Sequence, residues 1–418
     1  MGAIAEQQEM RVCVAQLGSR MHYAVPRILA EAGALEQFYA DICSVRGLPR
    51  LARALSPSLY PGPLRRLIGR VPFGVPADRV THFPTFGLQY ALRLAFAGRS
   101  SRSQLSAHLW AGRTFGRLVC NRGFKRSTHV YAFSSAALEI LEAARASGRI
   151  GILEQPSAPR RILRALFQEE QAAFPGWEVE CGNDSQIDLF IEREEAEWRR
   201  AGLILAPSRF VAEAVRNCDA RSGPCAIVPY GMDGGCRPAN RQCRDEPLRV
   251  LIVATVCLLK GIQYVPPVVS GLGNSAVFRL IGADRTLPRA TAELRRHVQF
   301  LGQIPRSEMH RHYAWADVLL LPSLSEGMAT VVLEALASGL PVVTTPNAGG
   351  AVRDGVDGFV IPIRDSRAIQ ERLETLIRNR GLLREMSHNA AMQGTNYSLS
   401  AYAARLLSEL DRSPANRR

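Results

Sequence analysis

The stretch PSLSEGMATVVLEALASG, residues 322–339, decides the fold. Before it, Ala316, Asp317 and Val318 lead into Leu319, Leu320 and Leu321. This apolar run is short enough for a strand and fits one buried on both faces, as in a parallel sheet. Ser323 to Gly327 interrupts it with a loop. From about Met328, the residues Val331, Val332, Leu333, Ala335 and Leu336 fit a helix laid on that sheet. Gly339 ends the helix, since a left-handed closing residue costs least in glycine, and Pro341 cannot continue it.

Two carboxylates frame this unit. Glu326 sits in the loop just before the helix and Glu334 lies within it. Eight helical steps span about 12 Å at ~1.5 Å per residue, too far for the two to share a proton or one small atom. The spacing suits an extended ligand held at both ends. Between them, the free N–H groups of the helix start offer an anion site. A ligand with hydroxyls at its ends and phosphates in its middle is a nucleotide-sugar.

Glu326 and Glu334, with seven residues between, resemble the E-x7-E motif of retaining glycosyltransferases of the GT-B fold, family 4. The segment GLPVVTTPNAGGAVRDGVDGFVIPIRD is similar to that family's run of strand, Gly-rich loop, acidic turn and Gly-Phe-Val strand. The resemblance is good over residues 249–391 and weaker over the first half. It implies an α/β chain of GT-B type, two doubly wound Rossmann-like domains facing across a cleft. The expected division is an acceptor-binding domain over 1–235, a linker over 236–247 and a nucleotide-sugar-binding domain over 248–395. A helix and tail, 396–418, would cross back to the first domain. The stretch DGGCRPANRQCRDEP, 233–247, is polar and apolar-poor, as a linker is.

A chain of 418 residues, 47% of them hydrophobic, can fill two ordinary cores. No run approaches the ~18–20 apolar residues of a membrane span, and MGAIAEQQEM is no signal peptide. The expected location is the cytoplasm, with peripheral contact to the inner membrane face left open. Nine cysteines, scattered and odd in number, are expected to be reduced thiols. Cys218, Cys225, Cys236 and Cys243 are too widely spaced for a zinc knuckle. The net charge of +14 admits nucleic acid, an anionic membrane or an anionic substrate. The arginines run through the whole chain without an aromatic–basic platform, so no nucleic-acid partner is expected. Residues 48–74 interleave Arg50, Arg53, Arg65, Arg66 and Arg70 with leucines, a texture that fits either an anionic bilayer surface or a solvated helix face.

Residues 11–17 read as the first strand, Gly18-Ser19-Arg20 as its loop and 24–32 as a helix, the opening of a doubly wound domain. By resemblance this loop faces the acceptor, which makes Gly18 and Arg20 acceptor-binding candidates. It also reads as an ordinary strand–helix turn, with one glycine where the family often has two. A later strand, 150–153, ends in Glu154-Gln155. Many relatives place a histidine near this strand end; here Gln155 stands there, either to hydrogen-bond sugar hydroxyls or to cap and pack. Residues 158–171 and 187–202 read as helices whose charge runs are solvated faces. Residues 227–231 read as the last strand of the first domain.

Arginine is the default cation of this chain, and Lys125 and Lys260 are its two lysines. Lys260 follows a strand end, and the resemblance makes it a ligand of the donor diphosphate, where an ammonium offsets charge building on the leaving nucleotide. The second cation that relatives place nearby is missing; Leu259 and Thr255 stand there. The resemblance puts Glu334 on the donor ribose and Glu326 on the transferred sugar. It brings the amides of Gly327, Met328, Ala329 and Thr330 to the phosphates. The expected reaction is retaining transfer from a nucleotide-sugar, UDP favoured over GDP on family frequency, to a glycan or lipid-linked acceptor in polysaccharide or glycolipid biosynthesis. No Asp-x-Asp is present, and neither metal nor other cofactor is expected. The rival readings are another GT-B enzyme, such as a nucleotide-sugar epimerase or sugar phosphorylase, and a non-catalytic protein bound to membrane or polyanion.

Overall fold

The computed structural model describes residues 9–44, 70–98, 100–179, 185–219, 223–233 and 246–412, and within them two sheets carry the chain. The first comprises β1 (Val12–Gln16), β2 (Leu35–Ala40), β3 (Val80–His82), β4 (His129–Phe133), β5 (Ile150–Glu154), β6 (Leu203–Ala206) and β7 (Cys225–Ile227). The second comprises β8 (Leu248–Val253), β9 (Ala276–Ile281), β10 (Gln299–Gly302), β11 (Val318–Leu321), β12 (Val342–Thr344) and β13 (Gly358–Val360). The strand orders are β3-β2-β1-β4-β5-β6-β7 and β10-β9-β8-β11-β12-β13, with every pair parallel. In both sheets the order reverses beside the first strand, between β1 and β4 and between β8 and β11. Ligands of doubly wound folds bind outside the carboxyl ends of strands at such a reversal.

β11 shows how the sequence makes this architecture. All four of its residues are buried. Leu319 and Leu321 join the cluster of Val332, Leu333 and Leu336 from the helix Thr330–Ala337, while Val318 and Leu320 join that of Ile369 and Leu373 on the opposite face. Period-two alternation thus sends neighbouring residues to opposite layers, and each leucine contributes about 1.5–3 kcal/mol by full burial.

The two halves are joined by more than the linker. The helix Leu399–Asp411 returns to the first domain, where Tyr402 meets Tyr230 edge-on at 5.8 Å and the Arg405 guanidinium donates to Pro229 O at 3.1 Å. A second strap runs the other way. In the last turn of the helix Arg160–Ala173 lies Glu170, whose buried carboxylate receives Arg364 Nε (2.5 Å), Gln263 Nε2 (2.6 Å) and Tyr264 Oη (2.8 Å), all from the second domain.

Several expectations need correcting here. The charged helices are not merely solvated faces: Glu170, Arg193, Glu194 and Glu197 are all buried. Their charges are paired or hydrogen-bonded, which is the condition for placing a charge inside. Glu197 accepts from the backbone N–H groups of Ser135 (2.8 Å) and Ala137 (3.0 Å), and Arg193 forms a fork on Glu139. The last strand of the first sheet ends at Ile227, so residues 228–231 are its exit. Arg70, from the basic segment 48–74, is spent on Asp41 at 2.7 Å. Residues 48–69 of that segment, most of the linker and the last residues of the tail lie outside the described residues, as do Cys236 and Cys243. Cys218 and Cys225 are free thiols.

Candidate active site

Lys260 closes a short helical turn, Leu258–Lys260, at the carboxyl end of β8. Gly261 follows with φ 68°, and a Cβ there would lie 2.0 Å from Pro322 O. Only glycine allows both the left-handed turn and this approach. The Leu324 N–H then donates to Leu259 O at 3.0 Å, stitching the turn to the loop after β11. The result is a contact between residues far apart in sequence: Lys260 Nζ lies 2.5 Å from Glu326 Oε1. Ser323 Oγ donates to the same carboxylate oxygen at 3.1 Å. The Glu326 N–H is fixed by Asn347 O at 2.9 Å.

Glu334, the fifth residue of the helix Thr330–Ala337, belongs to a separate cluster. Tyr313 Oη donates to its Oε2 at 2.7 Å and Arg306 Nη2 to its Oε1 at 3.2 Å. Arg306 Nη1 also reaches His22 Nε2 of the first domain at 2.7 Å. The imidazole can accept that bond only when neutral, and burial together with the nearby Arg306 charge lowers its pKa. His22 sits in an uncommon backbone: Met21, His22 and Tyr23 have φ of 45°, 50° and 62°. Each left-handed non-glycine residue costs roughly 1–2 kcal/mol. This strain is stored in the loop after β1, at the cleft.

The loop Gly18–Arg20 leads into that turn. Gly18 N–H donates to Asp41 Oδ1 at 3.2 Å, and buried Gln16 Nε2 donates to the carbonyls of Gly18 and Arg20 at 3.2 Å each. The Arg20 side chain is exposed. At the neighbouring strand end, Glu154 is buried between the hydroxyls of Tyr131 and Tyr230, the latter at 2.6 Å. Burial raises its pKa against the pull of those hydroxyls and of Arg20.

The two domains touch at Gly327. A Cβ on Gly327 would stand 1.7 Å from Pro156 O and 3.2 Å from Ser157 Cα. Ser208, which caps the helix Arg209–Cys218 as its sequence suggests, also donates its hydroxyl to Gly327 O at 2.7 Å. Tyr230 N–H points at Met328 Sδ at 3.1 Å.

The structure thus gathers Lys260, Glu326, Gly327 and the helix tip at one point, with Glu334 further along the same helix. It corrects two residues. Gln155 is fully buried, with Nε2 bonded to Ser157 O and Glu194 Oε1 (2.9 Å each) and Oε1 bonded to Trp198 Nε1 (3.0 Å). Its amide is committed inside the first domain, so it packs and positions rather than meets a sugar. The Ala329 N–H is donated to Ala348 O at 3.1 Å, which leaves the N–H groups of Gly327, Met328 and Thr330 for an anion. Arg306, Tyr313 and His22 were not legible as site residues. Arginine is so common in this chain that Arg306 carries no signal, and its meeting with His22 is made only by domain packing.

The comparisons fit this geometry. Residues 248–379 match the family model described as Glycosyl transferases group 1. The matched domain therefore contains Lys260, Glu326 and Glu334. A D-inositol 3-phosphate glycosyltransferase of Corynebacterium glutamicum (strain R) is 28% identical over 232 residues, 49% of this chain and 55% of that protein. The amylovoran biosynthesis glycosyltransferase AmsK of Erwinia amylovora is 30% identical over 149 residues, 31% of this chain and 37% of that protein. The chain thus spans about half or less of the length of these relatives. Among solved structures, a sucrose-phosphate synthase from Thermosynechococcus elongatus superposes with a TM-score of 0.63 at 16% identity, covering 96% of this chain and 98% of that one. Anabaena HepE in complex with UDP and glucose gives 0.61 at 15% identity, covering 96% and 100%. The fold is GT-B.

Proposed function

We propose that the protein is a retaining glycosyltransferase of family 4. It would move a sugar from a nucleotide-sugar, UDP-linked in preference to GDP-linked, to a glycan or lipid-linked acceptor in polysaccharide or glycolipid synthesis. The observation that carries this reading is the placement of Glu326 and Lys260 at the free amide tip of the helix that bears Glu334, pressed against the first domain at Gly327. The named relatives are glycosyltransferases, and HepE was solved with UDP, which supports the donor class.

In this reading Glu334 takes the ribose diol, for which a carboxylate offers two acceptors. Tyr313 holds it and Arg306 gives way. Lys260 and the N–H groups of Gly327, Met328 and Thr330 hold the diphosphate, and Glu326 fixes the sugar. The acceptor hydroxyl oxygen bonds to C1 from the face that the nucleotide leaves. The C1–O bond to the β-phosphate breaks, and a phosphate oxygen takes the hydroxyl proton. The chain contributes positioning and fixed charge, which are worth most in a closed cleft. The reading calls for no metal, so chelation with EDTA is expected to leave the rate unchanged.

The membrane part of the reading is supported by the charge of one sequence segment and by one exposed helix within it. Thirteen arginines and a single acid, Asp78, lie between Ile42 and Arg122, a net +12 of the whole chain's +14. The arginines run through the whole chain but the acids do not, so the net charge is concentrated here. In the same region the helix Pro84–Ala97 turns Leu88, Leu92 and Phe96 to solvent, Phe96 with 87% of its surface exposed. An apolar stripe among cations suits an anionic lipid surface. Among the described residues no helix is long and apolar enough to cross a membrane.

The test is a thermal-shift screen of nucleotide-sugars. A ligand at 100 times its Kd adds about 2.7 kcal/mol to folding stability, so a UDP-sugar should raise the melting temperature by several degrees. No shift with any nucleotide-sugar would refute the donor reading.

A further inference from the structure

We propose that the first domain sets the position of Lys260 through a clamp on the turn that carries it, with Glu178 as the positioning residue. That Lys260 meets a diphosphate rests on the transfer reading above; the clamp itself does not.

The turn Leu258–Lys260 is gripped at its first residue. Leu258 is fully buried, so its N–H and C=O must both find partners inside the protein. The turn supplies one of them, since Gly261 N–H donates to Leu258 O at 2.9 Å. The others come from side chains. Leu258 N–H donates to Glu178 Oε1, 80 residues earlier in the chain. Gln263 Nε2 donates to Leu258 O at 3.0 Å and to Glu170 Oε2 at 2.6 Å. One residue of backbone, two positions before the lysine, is thus tied to first-domain carboxylates, directly at its N–H and through Gln263 at its C=O.

The segment that brings Glu178 is itself docked. It leaves the helix Arg160–Ala173, and Phe174 meets Tyr264 edge-on at 5.3 Å. Trp177 packs against the core of the second sheet, and its carbonyl accepts from Leu287 N–H at 2.7 Å. Glu178 is half-buried; burial raises its pKa, while the Leu258 N–H and the Arg285 charge oppose the rise. Within the turn, Lys260 N–H donates to Cys257 O at 3.0 Å, and the ammonium faces Glu326. A functional side chain keeps its place only when the groups behind it are fixed. Here those groups belong to the other domain, so a shift between the domains is felt at the lysine.

The test is calorimetric UDP binding in a double-mutant cycle. Glu178→Ala is expected to weaken UDP binding ~5-fold or more, near the loss of one hydrogen bond to a charged group. Glu178→Gln, whose amide oxygen still accepts from Leu258 N–H, should stay within about twofold of wild type. In a Lys260→Ala background, Glu178→Ala should add less than about 1.5-fold, because a residue that acts through the lysine has nothing left to position. Gln263→Leu cuts the second tie and should act in the same way, which keeps the test valid if Glu178→Ala folds poorly. Three results overturn the proposal: UDP affinity unchanged in Glu178→Ala, the same loss with and without Lys260, or a loss in Glu178→Gln as large as in Glu178→Ala. Should the wild type bind no UDP, the transfer reading falls, and the clamp is decided by NMR of protein carrying carbon-13 lysine. The chain has two lysines, Lys125 and Lys260, so Lys260→Ala assigns both signals. The Lys260 signal should move in Glu178→Ala while that of exposed Lys125 stays; a Lys260 signal that stays as well overturns the clamp.

Discussion

Replacing Gly327 with alanine tests whether the seam between the domains is part of the chemistry. Gly327 does not occupy the left-handed region, so alanine meets no torsional penalty there. The whole effect comes from the close approach. The new methyl would lie 1.7 Å from Pro156 O, whereas real Cβ contacts stay beyond 3.0 Å, so the two backbones must part by about 1.3 Å. Both sides are backbone, and no flexible side chain can absorb the change. Overpacking of this kind costs about 1–3 kcal/mol of stability, which leaves the protein folded at assay temperature. The kinetic effect is larger, because a misplacement near 1 Å at a reacting centre costs about 10²-fold. We expect UDP release from the donor to slow by roughly that factor. UDP affinity, carried by the second domain, should change less than about threefold, a shift worth under ~0.7 kcal/mol. The assay pairs UDP release with calorimetric UDP binding and a circular-dichroism melt. A Gly327→Ala protein that turns over within twofold of wild type would show that the seam is packing alone, and the reasoning would fail.

Other perturbations follow from the same geometry. Lys260→Ala removes the cation beside Glu326 and should weaken UDP binding by about 10–100-fold, the worth of one charge-assisted contact, read by calorimetry. Glu154 has a folded pKa raised above the unfolded value, so its contribution to stability is fully present below the unfolded pKa and is lost as pH rises through the folded one. Glu154→Gln should flatten that loss in urea melts at stepped pH; part of it should persist, because Glu194 and Glu197 are shifted the same way. Phe96→Asp should cut co-sedimentation with vesicles containing phosphatidylglycerol at least ~5-fold, with donor binding unchanged, if the helix Pro84–Ala97 lies on lipid.

Much of the second domain was legible because short-range rules and packing agree there. β11 is apolar at every position, the helix after it keeps its period, and Gly339 takes the left-handed angle its place demands. Lys260 stood out by rarity and is found on Glu326. The first domain yielded less. Glu170, Glu194 and Glu197 read as solvated charges, because a charge run looks the same whether its partners are water or a distant arginine. Gln155 sits at the expected strand end, but Trp198 and Glu194, some forty residues on, decide which way its amide is used. Arg306 reaches His22 across 284 residues of sequence, a meeting that no local pattern encodes.

The most direct test is a crystal structure with an intact UDP-sugar bound. The account predicts the ribose hydroxyls on Glu334 with Arg306 displaced, the diphosphate at Lys260 and the amides of Gly327, Met328 and Thr330, and the sugar against Glu326. A donor seated elsewhere, with the Lys260–Glu326 and Arg306–Glu334 pairs undisturbed, would contradict it.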